Sequence, residues 1–94
     1  MDEAQDTARI FKALSSETRV RILRMLKRRA MCVGSLAARL DITSAAVSQH
    51  MRILREAGLV APDKRGYYVH YLLNRKTLER WRQVVDRLLT VADG

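Results

Sequence analysis

The chain is poor in the residues from which catalytic and metal centres are built. It has one cysteine, Cys32, so no internal disulfide can form, and a lone thiol fits a reducing compartment such as the cytoplasm. Its two histidines, His50 and His70, are not at i, i+4 spacing and form no helical metal pair. No apolar run approaches the roughly 20 residues needed to span a membrane. The first residues, Met-Asp-Glu-Ala-Gln-Asp, are acidic and lead into no apolar segment, so a secretory signal is not expected. No Gly-rich phosphate loop occurs. No Ser/His/Asp or Cys/His arrangement and no carboxylate pair has a reason to share a cleft. An enzyme is therefore not expected. Internal repeats, low-complexity stretches and linkers are also missing.

What the chain has is apolar residues and positive charge. Ninety-four residues with 48% hydrophobic content suffice for one domain over residues 1–94 with a modest core. Eighteen Lys and Arg against ten Asp and Glu give a net charge of +8. That imbalance favours a polyanionic partner: DNA, RNA or an anionic surface.

The pattern is most specific between Ser35 and Leu59. Leu36 and Leu40 lie four apart on one helical face, Asp41-Ile42-Thr43 interrupt it, and Thr43 is a favoured N-cap for a second helix. Gly58 stands where glycine commonly ends a helix. Two helices across a short break form a helix-turn-helix, whose second helix commonly enters the DNA major groove. At about 100° per residue, with Ser44 as zero, Ala46, Val47, Ile53, Leu54 and Ala57 fall at roughly 180° to 300°. His50 falls among them, which predicts a hydrogen-bonded core histidine. Ser44, Ala45, Ser48, Gln49, Arg52, Arg55 and Glu56 take the other side. Small side chains let a backbone approach a groove, hydroxyls and amides bond base edges, and arginines reach phosphate. The candidate base-reading residues are thus Ser44, Ala45, Ser48 and Gln49, with Arg52 and Arg55 for the backbone.

Around this motif, residues 2–14 read as a helix with Ala4, Thr7, Ile10, Phe11 and Leu14 in one stripe. Ser15-Ser16 offer a cap to a helix over residues 17–28. There Arg19 projects among apolar residues, so it is expected to fork onto a carboxylate or helix-end carbonyls. Residues 29–34 read as an extended link, with Cys32 as a small buried residue. Residues 59–73 read as a hairpin turning at Gly66, its tip carrying Lys64 and Arg65 toward the DNA backbone. Asn74 caps a last helix over residues 75–92, whose wide apolar band suits two partners. One is its own core. The other is the same helix of a second subunit, with Trp81 at the seam; the alternative is a monomer whose last helix is simply well buried. The fold class is mainly α with a small β-hairpin, in the order α-α-α-α-β-β-α.

That order is the winged helix-turn-helix. The segments F-K-A-L-S-S-E-T-R-V-R-I-L (residues 11–23), S-L-A-A-R-L-D-I-T-S-A-A-V-S-Q-H-M-R-I-L-R-E-A-G-L-V (35–60) and R-G-Y-Y-V-H-Y-L-L (65–73) resemble the ArsR/SmtB family of bacterial repressors. The resemblance implies a homodimer joined through first and last helices, here residues 2–14 and 75–92, with Ile10, Phe11, Leu78, Trp81, Val85 and Leu88 expected at the interface. It also implies double-stranded operator DNA with two-fold symmetry, and repression relieved by an effector, often a metal. The expected function is thus a sequence-specific transcriptional regulator. A winged helix protein that binds RNA, or DNA without reading sequence, is the alternative.

The family's familiar metal sites are not intact. Where it carries E-L-C-V-C-D-L, this chain has A-M-C-V-G-S-L over residues 30–36, so Cys32 stands without the second thiol and the acidic neighbour. The last helix offers Asp86 and, beyond it, Asp93, without a histidine. No metal cofactor is therefore assigned, Cys32 is kept as a candidate sensor, and the effector is not named by the sequence.

Overall fold

A computed structural model of the chain describes residues 2–93, with the Arg65 side chain left aside. Five helices and three strands follow in order: α1 (Glu3–Leu14), α2 (Glu17–Leu26), β1 (Met31–Cys32), α3 (Val33–Leu40), α4 (Ser44–Glu56), β2 (Val60–Arg65), β3 (Tyr68–Leu73) and α5 (Arg75–Leu89). This is the mainly helical winged arrangement, with one strand more than the hairpin alone. Met31 pairs with Tyr71 and Cys32 with His70, so β1 joins an antiparallel sheet of order β1-β3-β2.

The helix starts follow from capping chemistry. Asp2, expected as the first helical residue, is instead the N-cap of α1; its carboxylate accepts the Gln5 N–H at 2.8 Å while the Gln5 side chain accepts from Asp2 N–H. Ser16, Thr43 and Asn74 cap α2, α4 and α5 through their side-chain oxygens. The ends come sooner than the apolar pattern predicts. Helix α2 stops at Leu26 rather than Arg28, and α5 stops at Leu89, with Thr90 already extended. Val91 and Ala92 are thus apolar without being helical, and both are exposed. Helix α3 begins two residues before Ser35, directly from β1.

Between α3 and α4, Asp41 takes a left-handed conformation (φ 55°), which Asp tolerates better than most residues. Ile42 N–H then donates back to Ala37 O at 3.2 Å, closing the turn. Gly58 (φ 77°) ends α4, and Leu59 N–H reaches Leu54 O at 2.9 Å. Gly66 (φ 61°) leads the two-residue Gly66-Tyr67 turn of the hairpin, where Arg65 pairs with Tyr68.

The core gathers Ile10 and Ala13 of α1, Ile22 and Leu26 of α2, Met31, Leu36 and Ala37, Val47, Met51 and Leu54 of α4, Leu59 and Val60, and Trp81 and Val84 of α5. Two sequence expectations are corrected here. Trp81 (6% exposed) and Ile10 (1%), expected at a subunit seam, fill their own chain's core, because α1 and α5 pack on each other and turn these side chains inward. Along α4, Met51 is buried and Ile53 is 41% exposed, so the buried face is centred near Val47, Met51 and Leu54. That is roughly 60° from where the apolar count places it.

Candidate nucleic-acid interface

Burial of Val47, Met51 and Leu54 fixes which way the opposite side of α4 looks. Ser44, Ala45, Ser48, Gln49, Arg52 and Arg55 are all exposed. Four small or amide side chains thus occupy the N-terminal half of an open helix face, with two arginines following. Arg52 Nε lies 3.2 Å from Glu56 Oε1, with both side chains largely in solvent. An exposed i, i+4 pair contributes only about 0.3–0.5 kcal/mol, so a phosphate can displace the carboxylate. Arg55 has no ion-pair partner among the described residues.

The other side of α4 is held by an arginine. Arg19 is half-buried, and its Nε donates to Ala13 O at 2.6 Å, its NH2 to Lys12 O at 3.3 Å, and its NH1 lies 3.1 Å from His50 Nδ1. This is the carbonyl fork expected from the sequence, with a histidine added. One guanidinium therefore ties the end of α1 and the start of α2 to the middle of α4. Burial first, and then the Arg19 charge, push the His50 imidazole below its ordinary pKa. Neutral His50 accepts the Arg19 hydrogen bond at Nδ1.

In the hairpin, Tyr71 and Leu73 lean on the core while Tyr68 and Leu72 are exposed. The tip places Lys64 in solvent beside a fully exposed Tyr67. Period-2 alternation groups Tyr67 with Tyr71 and Leu73, which pack on the core, so it does not mark Tyr67 as a surface residue, whereas Tyr68 falls with the exposed Leu72. The Arg65 side chain, expected beside Lys64, lies outside the described residues, although its backbone pairs with Tyr68.

Cys32 is half-exposed rather than buried, with Sγ 3.2 Å from Ser35 Oγ. That hydroxyl first, and then nearby backbone N–H groups at the start of α3, hold its thiol below the ordinary value. Among the described residues no group of three or more His, Cys, Asp or Glu side chains comes together. The donors within one chain therefore do not fit the tetrahedral metal site of the family.

The terminal helices are clasped by Arg80–Asp6 at 2.6 Å and Arg87–Glu3 at 2.7 Å. Beside these pairs runs a groove of ≈440 Å³ lined by Ala4, Ala8, Phe11, Val84 and Leu88. Phe11 (44% exposed) and Leu88 (57%) stand open at it, while Leu78 and Val85 are half-buried against the core. Of the six residues expected at a subunit interface, Phe11 and Leu88 are thus the two left open to a partner.

Comparison with known proteins agrees with this arrangement. The family model described as "Bacterial regulatory protein, arsR family" matches residues 16–61, from the α2 cap through α4 to the start of β2. The transcriptional repressor SmtB homolog of Synechocystis sp. is 37% identical over 89 residues, covering 94% of this chain and 67% of that one. The transcriptional activator HlyU of Vibrio cholerae is 34% identical over 84 residues, covering 89% and 78%. Among solved structures, an ArsR-like transcriptional regulator from Rhodococcus sp. RHA1 superposes with a TM-score of 0.80 at 33% identity, covering 90% of this chain and 80% of that one. With its helix-turn-helix, three-stranded sheet and likeness to these proteins, the chain belongs to the ArsR/SmtB family of winged helix-turn-helix DNA-binding transcriptional regulators.

Proposed function

We propose that the protein is a dimeric repressor that reads an operator of two-fold symmetry and is released by an effector, and that it has no catalytic activity. The observation that carries the reading is the split along α4. Its Val47, Met51 and Leu54 face is sealed, and its Ser44, Ala45, Ser48 and Gln49 face is open, with Arg52 and Arg55 beside it. Ser48 and Gln49 read base edges, Ser44 and Ala45 allow close approach, and Arg52, Arg55, Lys64 and Arg65 contact phosphate. Residues 1–94 act as one domain. Two such domains join across the α1–α5 groove through Phe11 and Leu88, which sets two reading helices at successive turns of the duplex. Repression, rather than activation, follows the likeness to the SmtB homolog, which is somewhat greater than that to the activator HlyU.

The test is selection of preferred duplexes by the wild type and by Ser48→Ala and Gln49→Ala. Altered preference at a few base pairs is expected, with specific binding about 10³-fold or more above unrelated duplex. Unchanged preference in both variants overturns the groove assignment. Lys64→Ala with Arg65→Ala is expected to weaken all sequences alike and to lower the salt slope by about 1 per lost phosphate contact.

A further inference from the structure

The chain from Thr18 to Leu40 contains no Asp or Glu and carries Arg19, Arg21, Arg24, Lys27, Arg28, Arg29 and Arg39. The fold uses the first two: Arg19 in the fork to α1 and His50, and Arg21 in an ion pair with Glu17 at 2.6 Å. Arg24, Arg28, Arg29 and Arg39 are left over; all four are exposed, and they border the same hollow. With Met25 and Met31 they line one concavity of ≈460 Å³ between α2, β1 and α3. Among the described residues none of the four guanidiniums has a carboxylate partner. All four glutamates of the chain are committed elsewhere, Glu3 to Arg87, Glu17 to Arg21, Glu56 to Arg52 and Glu79 to Arg82. A second concavity, which shares Arg28 and Arg29, adds Lys27 and Arg75 beside Leu72 and Leu73.

Four like charges around one hollow repel one another and cost stability unless an anion offsets them. We infer that the hollow between α2, β1 and α3 is a binding site for a small phosphate-bearing anion with at least two phosphoryl groups. Guanidinium forks match phosphate oxygens two at a time, in a geometry a solvated ammonium does not offer. Four cationic groups match the charge of a diphosphate and exceed that of a monocarboxylate. The volume falls in the range of small-molecule sites, about 300–1,000 Å³. Met25 and buried Met31 supply an apolar flank for the remainder of such a ligand.

None of the residues that line the hollow belongs to α4 or to the hairpin. The neighbouring concavity sits at the Leu72–Leu73 end of β3, while the wing tip begins at Tyr68, five residues or about 16 Å away along the strand. A ligand held by Arg24 and Arg39 would bridge α2 to α3, the helix that packs on α4.

The test uses the full chain without DNA and pyrophosphate as the probe, by isothermal titration at about 150 mM salt. The wild type is compared with Arg28→Gln/Arg29→Gln and with a control of equal charge, Arg21→Gln/Arg82→Gln. The expected result is saturable binding, one per chain, weakened at least about tenfold in the first variant and unchanged in the control. Operator affinity of the first variant should stay within about threefold of wild type. Equal loss in both variants, or no saturable binding, overturns the site. So does a first variant whose operator affinity and salt slope both fall, since the phosphates would then belong to the duplex. Should that variant not fold by circular dichroism, Arg24→Gln/Arg39→Gln answers the same question. A negative result leaves base reading by α4 untouched, because that is scored by sequence preference.

Discussion

Replacing Arg19 by Met keeps the stem volume and removes the fork, and the structure sets the size of the effect. Three contacts are lost: Nε to Ala13 O at 2.6 Å, NH2 to Lys12 O at 3.3 Å and NH1 to His50 Nδ1 at 3.1 Å. Hydrogen bonds to charged groups contribute about 1.5–3 kcal/mol each, but bonds sharing one side chain do not add. Lys12 O keeps the Ser15 N–H and hydroxyl, so the loss concentrates on Ala13 O and His50. The expected cost is about 2–4 kcal/mol. For a chain of this length that lowers the melting temperature by about 10–25 °C, measured at fixed protein concentration. Urea unfolding should show a lower midpoint with an unchanged slope. Arg19→Lys restores the charge without the fork and should recover less than half. A double-mutant cycle with His50→Ala should give a coupling of about 1 kcal/mol. An Arg19→Met variant within about 0.5 kcal/mol of wild type would refute the reasoning, since that is the range of an ordinary surface substitution.

The depressed His50 pKa has a defined sign: the unfolded chain binds the proton more readily, so the stability is fully present above the unfolded value of about 6.5 and is lost as pH falls below it, with a slope of at most about 1.4 kcal/mol per pH unit. His50→Gln should flatten that part of the profile between about pH 8 and 5, and parallel profiles would exclude the effect. Phe11→Asp with Leu88→Asp should leave a folded monomer by sedimentation and circular dichroism. Each change is repeated by two-fold symmetry, so the dimer should weaken at least about 10²-fold; a variant that remains dimeric at micromolar concentration would move the interface elsewhere. Cys32 should alkylate faster near neutral pH than a free cysteine, and Ser35→Ala should slow it, because the hydroxyl that stabilises the thiolate is gone. Equal rates would mean the contact does not tune the thiol.

Caps and breaks were legible because they depend on a few neighbouring residues. Thr43, Asn74, Ser16 and Gly58 each act as their type and position indicate. The fork of Arg19 was legible too, since a guanidinium on an apolar face has few partners that offset its burial. Strand β1 was not: two residues carry no periodicity, and their partners, Tyr71 and His70, lie far along the chain. The displaced face of α4 has a similar cause. Ile53 and Met51 are both apolar, and nearly opposite sides of the count could claim either. Which one is buried is decided by where α2 and α3 cross the helix, not by the helix itself. Trp81 illustrates the limit on the dimer reading: a wide apolar band shows that α5 has much to bury, but only the packing of α1 on α5 sorts core residues from open ones.

The charge of +8 points to a polyanion without saying where it would sit. Ion pairing resolves this. Each glutamate neutralises an arginine three or four residues away on its own helix, or, for Glu3, on the facing helix. Asp6 does the same for Arg80. These pairs quiet much of the outer faces of α1, α2 and α5. Two groups stand out among the cations without such a pair: Arg55 of α4 with Lys64 of the hairpin, and Arg24, Arg28, Arg29 and Arg39 around the hollow between α2, β1 and α3. The first set lies on exposed elements, α4 and the hairpin, which suits the long surface of a duplex. The second lines a concavity, where converging forks favour a compact anion. On the two proposals made above, local ion pairing divides the net charge between two kinds of phosphate partner, with α3, which packs on α4, common to both.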